Sequence, residues 1–191
     1  MKYSKIMAAV LAVLLAIGCF SGCGLLGTGQ STSSKNTAVQ TTVQLTSSDG
    51  KYSLEIPDKW KDMQAALSSD SVLACGNNAK EQYLMIIPDS KSELSMNFSE
   101  YTSVILHQIG TNMENAVIDQ TADFEIPGHA ATRTTVSGTA DGLKVRYWVY
   151  TVDCPEDYLQ IVAWTLQDKA EETEQTYDQV AQSLKEAAGT Q

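Results

Sequence analysis

Hydrophobic positions in the chain recur with two different periods, and the switches between them outline the elements. Val43-Gln44-Leu45-Thr46 and Tyr52-Ser53-Leu54-Glu55-Ile56 alternate by two around the turn-forming Ser48-Asp49-Gly50. That pattern predicts a β-hairpin, closed at Pro57 because proline cannot continue a ladder. Trp60 to Leu67 reads as a short helix broken by Ser68-Ser69-Asp70. Val72–Cys75 and Tyr83–Ile87 read as a second strand pair, closed by Pro88. From Phe98 the period becomes helical: Phe98, Tyr101, Ile105 and Ile109 share one face, flanked by Val104. Asn97 and Glu100 before that face have the spacing of a capping box.

Four further extended segments are expected at about 117–126, 130–138, 143–152 and 158–166, separated by Pro127-Gly128, Asp141-Gly142 and Cys154-Pro155-Glu156-Asp157. Ala170, Thr173, Tyr177, Val180 and Leu184 then mark a second amphipathic helix. Its acidic first turn (Glu171, Glu172, Glu174) suits the positive end of the helix dipole. Four strands, a helix, four strands and a helix, joined mostly by short turns, predict an α+β fold. The expectation is an antiparallel sheet of about seven or eight strands flanked by two or three helices.

The first forty residues follow neither period. Lys2 and Lys5 precede an apolar run from Ile6 to Ile17, far short of the roughly 20 residues that span a bilayer. Residues 1–22 therefore read as a secretory signal. Phe20-Ser21-Gly22-Cys23-Gly24 resembles a bacterial lipobox, in which the cysteine thiol receives diacylglycerol before cleavage. Cys23 is the expected lipidation site. Ala16-Ile17-Gly18-Cys19 offers Cys19 as the alternative. Two or more acyl chains at that cysteine would satisfy the requirement for stable anchoring. Residues 23–42, rich in Gly, Ser, Thr and Gln, read as a flexible tether spanning about 25 Å. Residues 43–191 are left as one globular domain.

Charge narrows the partners. With Lys2 and Lys5 removed, 11 basic side chains face 23 acidic ones, a net charge of −12 that disfavours nucleic acid. Membrane attachment through the lipid is expected, with an envelope protein or a small ligand as the partner of a monomeric head.

The opening Gly50-Lys51-Tyr52-Ser53-Leu54-Glu55-Ile56-Pro57-Asp58-Lys59-Trp60 resembles the start of PsbP-like and DcrB-like domains. The later Glu125-Ile126-Pro127-Gly128-His129-Ala130, with its long hairpins and carboxy-terminal helix, is similar to the rest of that superfamily. The resemblance covers roughly residues 43–188. It implies an antiparallel sheet between helices and carries no catalytic residue onto this chain.

Catalytic chemistry finds little support. There are only two histidines. His107 falls on the solvated side of its predicted helix and His129 in a turn after Pro127-Gly128. No HxxxH, HxH or HExxH spacing exists, so a zinc site would have to be assembled from distant residues, and neither metal nor cofactor is expected. No GxSxG, Walker A or GxGxxG motif occurs in the globular part. Asp153, Glu156 and Asp157 crowd one turn without the spacing of an EF-hand, which reads as a solvated acidic turn. Cys75 and Cys154 are expected outside the cytoplasm, where they are either reduced thiols or a disulfide.

One surface stands out. Along 143–152 the odd positions (Leu143, Val145, Tyr147, Val149) are apolar or aromatic, whereas Lys144, Arg146, Trp148 and Tyr150 form a stripe on the other face. This stripe is the candidate binding face. The competing reading puts Trp148 and Tyr150 under a helix, with Lys144 and Arg146 snorkelling to its edge. The function expected is a non-enzymatic, membrane-anchored lipoprotein with a binding or scaffolding role in the cell envelope. The alternative is a small-solute-binding lipoprotein, favoured by a concave pocket lined by Trp148 and Trp164.

Overall fold

A computed structural model describes residues 41–187; the expected signal segment, Cys19, Cys23 and the expected tether as far as residue 40 lie outside the described residues. Its strands are β1 (Thr42–Thr46), β2 (Tyr52–Pro57), β3 (Lys61–Asp62), β4 (Leu73–Asn77), β5 (Gln82–Ser90), β6 (Glu114–Ile118), β7 (Ala122–Asp123), β8 (Ala130–Ala140), β9 (Leu143–Asp153), β10 (Asp157–Leu166) and β11 (Lys185–Glu186). The helices are α1 (Gln64–Leu67), α2 (Phe98–Thr111) and α3 (Ala170–Gln182).

Eight strands form one antiparallel sheet in the order β3-β4-β5-β10-β9-β8-β6, with β7 also paired to β8. A smaller sheet has the order β1-β2-β11. The α+β architecture read from the sequence is the one observed.

Local chemistry explains the joints. Asp141 and Gly142 have φ of +49° and +79°, as a two-residue primed turn requires, and they set the register of the β8–β9 hairpin from Ala140↔Leu143 to Ala130↔Asp153. The capping box at α2 is present: Asn97 Oδ1 accepts from Glu100 N at 3.0 Å and Glu100 Oε2 accepts from Asn97 N at 2.9 Å. The first hairpin turns at Gly50, with the Ser47 hydroxyl accepting from Tyr52 N at 2.9 Å.

Three boundaries differ from the sequence expectation. Trp60–Leu67 is not one helix, because Lys61–Asp62 pairs with Gly76 and Cys75 before α1 begins. Asp62 then accepts from Gln64 N at 2.9 Å and starts the helical turn. Pro88 does not close β5: β4 has already ended its pairing at Leu73↔Ile86, so Pro88 has only β10 alongside, where a missing N–H is tolerated. The expected strand 117–126 is two short pieces, with a register shift near Asn115, whose φ is +53°.

Both faces of the large sheet are covered. One carries Tyr83, Met85, Val136, Val145, Tyr147, Val149, Val162 and Trp164 against Tyr101, Ile105 and Ile109 of α2. The other carries Leu84, Ile86, Trp148, Tyr150, Val152, Leu159 and Ile161 against Tyr177, Val180 and Ala181 of α3 and Tyr52, Leu54 and Ile56 of β2. All five positions of the predicted α3 stripe are buried.

Because the capping box supplies two of the bonds that the first turn of α2 cannot make internally, Asn97→Ala should cost about 0.5–2 kcal/mol. Denaturant unfolding should record this as a lowered midpoint with no change in slope.

Candidate functional site

Strand β9 holds the stripe singled out above, and its neighbours decide the stripe's character. The strand pairs along almost its whole length with β10 on one side and β8 on the other. Alternation therefore does put Lys144, Arg146, Trp148 and Tyr150 on one face. Its Trp148–Tyr150 part lies beneath α3. Trp148 and Tyr150 are each 0% exposed. The Trp148 ring packs 5.0 Å from that of Tyr177, and Tyr150 packs 4.8 Å from Phe124. The Tyr150 hydroxyl donates to Asp178 of α3 at 2.7 Å.

Its cross-strand neighbour Arg133 completes the clasp, ion-pairing with Asp178 at 2.8 Å and with Glu174. The Arg146 guanidinium lies 5.9 Å from the Trp148 ring and 3.3 Å from Asp119. Lys144 is exposed. The aromatic half of the candidate binding face, Trp148 and Tyr150, is thus corrected to core, whereas Lys144 and Arg146 reach solvent. A single-faced sheet would have left these aromatics in water; the second covering layer buries them.

The proposed solute pocket fares similarly. Trp164 points to the α2 side, stacked 5.3 Å from Tyr83, so the two tryptophans lie on opposite faces of one sheet and cannot line one cavity. A groove of about 1050 Å³ does run along β3, past Lys59, Lys61, Met63, Gln64 and Asn78, and it is open to solvent.

The acidic turn is not simply solvated. Asp157 is buried, accepts from the Tyr52 hydroxyl at 2.7 Å and lies 3.5 Å from Lys51. Asp153 pairs with Lys91. Glu156 is the exposed member.

His107 is exposed on α2, as its helical position predicted. His129 is not an isolated turn residue. It follows Gly128 (φ +85°), bridges back to Ile126, and is only 11% exposed in its side chain. Its Nε2 lies 3.9 Å from Glu186 Oε2, and the ligand atoms of His129, Cys154 and Glu186 all fall within 4.8 Å of one another.

The sequence reading missed this cluster, although one signal pointed to it. Once Asp141-Gly142 is taken as a two-residue turn, the next pair outward from Ala130↔Asp153 is His129 opposite Cys154. Glu186 arrives through β11, whose pairing with Tyr52 no local pattern announces.

Cys75 and Cys154 are both buried and free. Burial first, then the Glu186 and Asp157 carboxylates, push the Cys154 thiol up to about 12, so it holds its proton at neutral pH. Burial likewise holds Cys75 protonated. Neither is an activated nucleophile.

No family model matches the sequence, and no curated protein matches it. Solved structures do. Cyanobacterial PsbP (CyanoP) from Synechocystis sp. PCC 6803 superposes with a TM-score of 0.57 at 11% identity, over 82% of this chain and 98% of that one. LpqN of Mycobacterium tuberculosis, involved in cell envelope biogenesis, gives 0.55 at 12% identity over 80% and 87%. The Saccharomyces cerevisiae Ran-binding protein Mog1p gives 0.53 at 7% identity over 76% and 95%.

Two consequences of this burial are measurable. Trp148→Ala should cost about 3–5 kcal/mol through the cavity it opens between β9 and α3, read as a fall in denaturant midpoint at unchanged slope. Alkaline stability should fall as well. Burial, with Asp141 adding, pushes the Tyr147 phenol up to about 12. The unfolded chain releases that proton near pH 10, so the folded state binds it more tightly and the associated stability is complete below about pH 10. It is lost as pH rises from about 10 to about 12. Unfolding midpoints measured across that window should decline, and tyrosinate absorbance of the native protein should lag that of the denatured chain.

At identities this low the likeness is one of architecture, and the architecture is that of the PsbP-like fold.

Proposed function

We propose that this chain is a lipid-anchored, extracytoplasmic protein whose folded head has a non-enzymatic binding or scaffolding role in the cell envelope. The carrying observation is Ser21-Gly22-Cys23 behind a short apolar run and ahead of a Gly/Ser/Thr-rich segment. Together they supply an acylation site and a spacer before the first strand at Thr42. Among the described residues no helix is long and apolar enough to cross a membrane, which is consistent with attachment from outside the head.

The non-enzymatic reading rests on the state of three of the four thiol and imidazole groups among the described residues. Both thiols of the head are buried and protonated, and His107 stands exposed on its helix. The likeness to LpqN, involved in cell envelope biogenesis, supports an envelope setting by analogy of fold. The binding role does not extend to the β9 stripe, because its aromatics are interior. The open groove along β3 is a shape suited to contact with a larger partner rather than to enclosure of a solute.

The anchoring half of the reading is tested by metabolic lipid labelling and membrane fractionation of Cys23→Ala. Labelling should disappear and the protein should leave the membrane fraction. Unchanged labelling in Cys23→Ala together with loss in Cys19→Ala would move the site to Cys19. Unchanged labelling in both would overturn lipid anchoring through either cysteine.

A further inference from the structure

His129, Cys154 and Glu186 come from three separate segments: the turn before β8, the residue after β9, and the last described strand. Each offers a different donor: imidazole nitrogen, sulfur and carboxylate oxygen. The geometry points to a mononuclear site for a divalent transition-metal ion of the zinc class, held by these three side chains. This inference is independent of how the chain is anchored.

The distances suit that reading. Bonds of about 2.0–2.3 Å to a tetrahedral ion place neighbouring ligand atoms about 3.3–3.8 Å apart. His129 Nε2 and Glu186 Oε2 already stand 3.9 Å apart, and the whole set lies within 4.8 Å. The remaining closure falls to the side chains that can move. The Glu186 side chain is 31% exposed on a two-residue strand at the margin of the small sheet, whereas Cys154 is fixed in the core.

Donor chemistry selects the ion. Sulfur with imidazole disfavours calcium and magnesium, which take oxygen ligands, and favours zinc or cobalt. Local charge helps as well. The carboxylates of Glu186, Asp157 and Asp153 surround the Cys154 sulfur, with Lys91 paired to Asp153 and Lys51 to Asp157, so the Glu186 carboxylate is left to favour a cation there. Binding replaces the thiol proton with a sulfur–metal bond, and the proton leaves to solvent.

Such a site would also fasten the fold. Cys154 closes the large sheet's β9–β10 turn, and Glu186 belongs to the small sheet. An ion held between them ties the two sheets together and stabilises the folded state by mass action.

The test is titration of Co²⁺, as the only added metal, into the reduced full chain carrying Cys19→Ser and Cys23→Ser. In that background Cys75 and Cys154 are the only thiols, since the chain has four cysteines. One Co²⁺ per chain, a thiolate-to-cobalt charge-transfer band and a raised Tm are expected. Cys154→Ser should abolish the band. His129→Ala and Glu186→Gln should each weaken binding at least about tenfold, since losing even an outer partner of a ligand costs that much. The exposed His107→Ala should change nothing. Absence of the band in the parent chain, its persistence in Cys154→Ser, or undiminished affinity in His129→Ala would overturn the proposal. Should Cys154→Ser fail to fold, the partly exposed His129 and Glu186 variants still decide it, because neither removes a core side chain.

Discussion

The large sheet must be dry on both faces, and most of the structure follows from that requirement. Antiparallel sheets commonly leave one face in water. Here nine of the ten residues of β10 are buried, so neither side of its central strand is free. Helix α2 covers one face; α3 and the small sheet cover the other. The apolar surface so removed from water is the main driving force available to the fold. It also explains why both helices have strongly one-sided apolar faces.

Two-sided burial creates a polar problem, which hydrogen bonds between elements meet in part, since Trp148 Nε1, Gln160 Oε1 and Thr165 Oγ1 are buried without a partner. Thr151 in β9 shares its hydroxyl with Thr102 of α2 and Thr132 of β8, each at 2.7 Å. Gln160 in β10 donates to Asp89 at 2.8 Å, and the same carboxylate accepts from the Tyr101 hydroxyl at 2.7 Å. Tyrosines recur as links between layers: Tyr101 joins α2 to β5, Tyr150 joins β9 to α3, and Tyr52 joins the small sheet to the large one through Asp157. Each phenol is held well above its ordinary value, by burial first and then by the carboxylate it bonds. An amphipathic ring serves here because it fills core volume at one end and satisfies a carboxylate at the other.

The PsbP-like architecture recurs in proteins whose described roles differ, from a cyanobacterial PsbP to a mycobacterial envelope protein and a yeast Ran-binding protein. Shared architecture therefore says little about the particular role of this chain. What distinguishes it must lie in the features laid on the scaffold: the amino-terminal cysteine motif, the groove along β3, and the mixed donor cluster at the joint of the two sheets.

Periodicity in the sequence determined the long elements. Asn97 and Glu100 placed the start of α2, Asp141-Gly142 fixed the longest hairpin, and the three- and four-residue spacing of Ala170 to Leu184 gave the buried stripe of α3. These are local effects, set by backbone preference and by which side of an element is apolar. The sequence also left Trp148 and Tyr150 between two readings, because alternation says which residues share a face but not what covers it. Only the packing of α3 over β9 decided that they are core. The meeting of His129, Cys154 and Glu186 was decided in the same way. A two-residue turn could bring the first two opposite each other, but the third depends on β11 returning to pair with β2, a contact between residues more than 130 positions apart. Such pairings are stabilised by the assembled core rather than by any neighbour in the chain, so no local pattern records them.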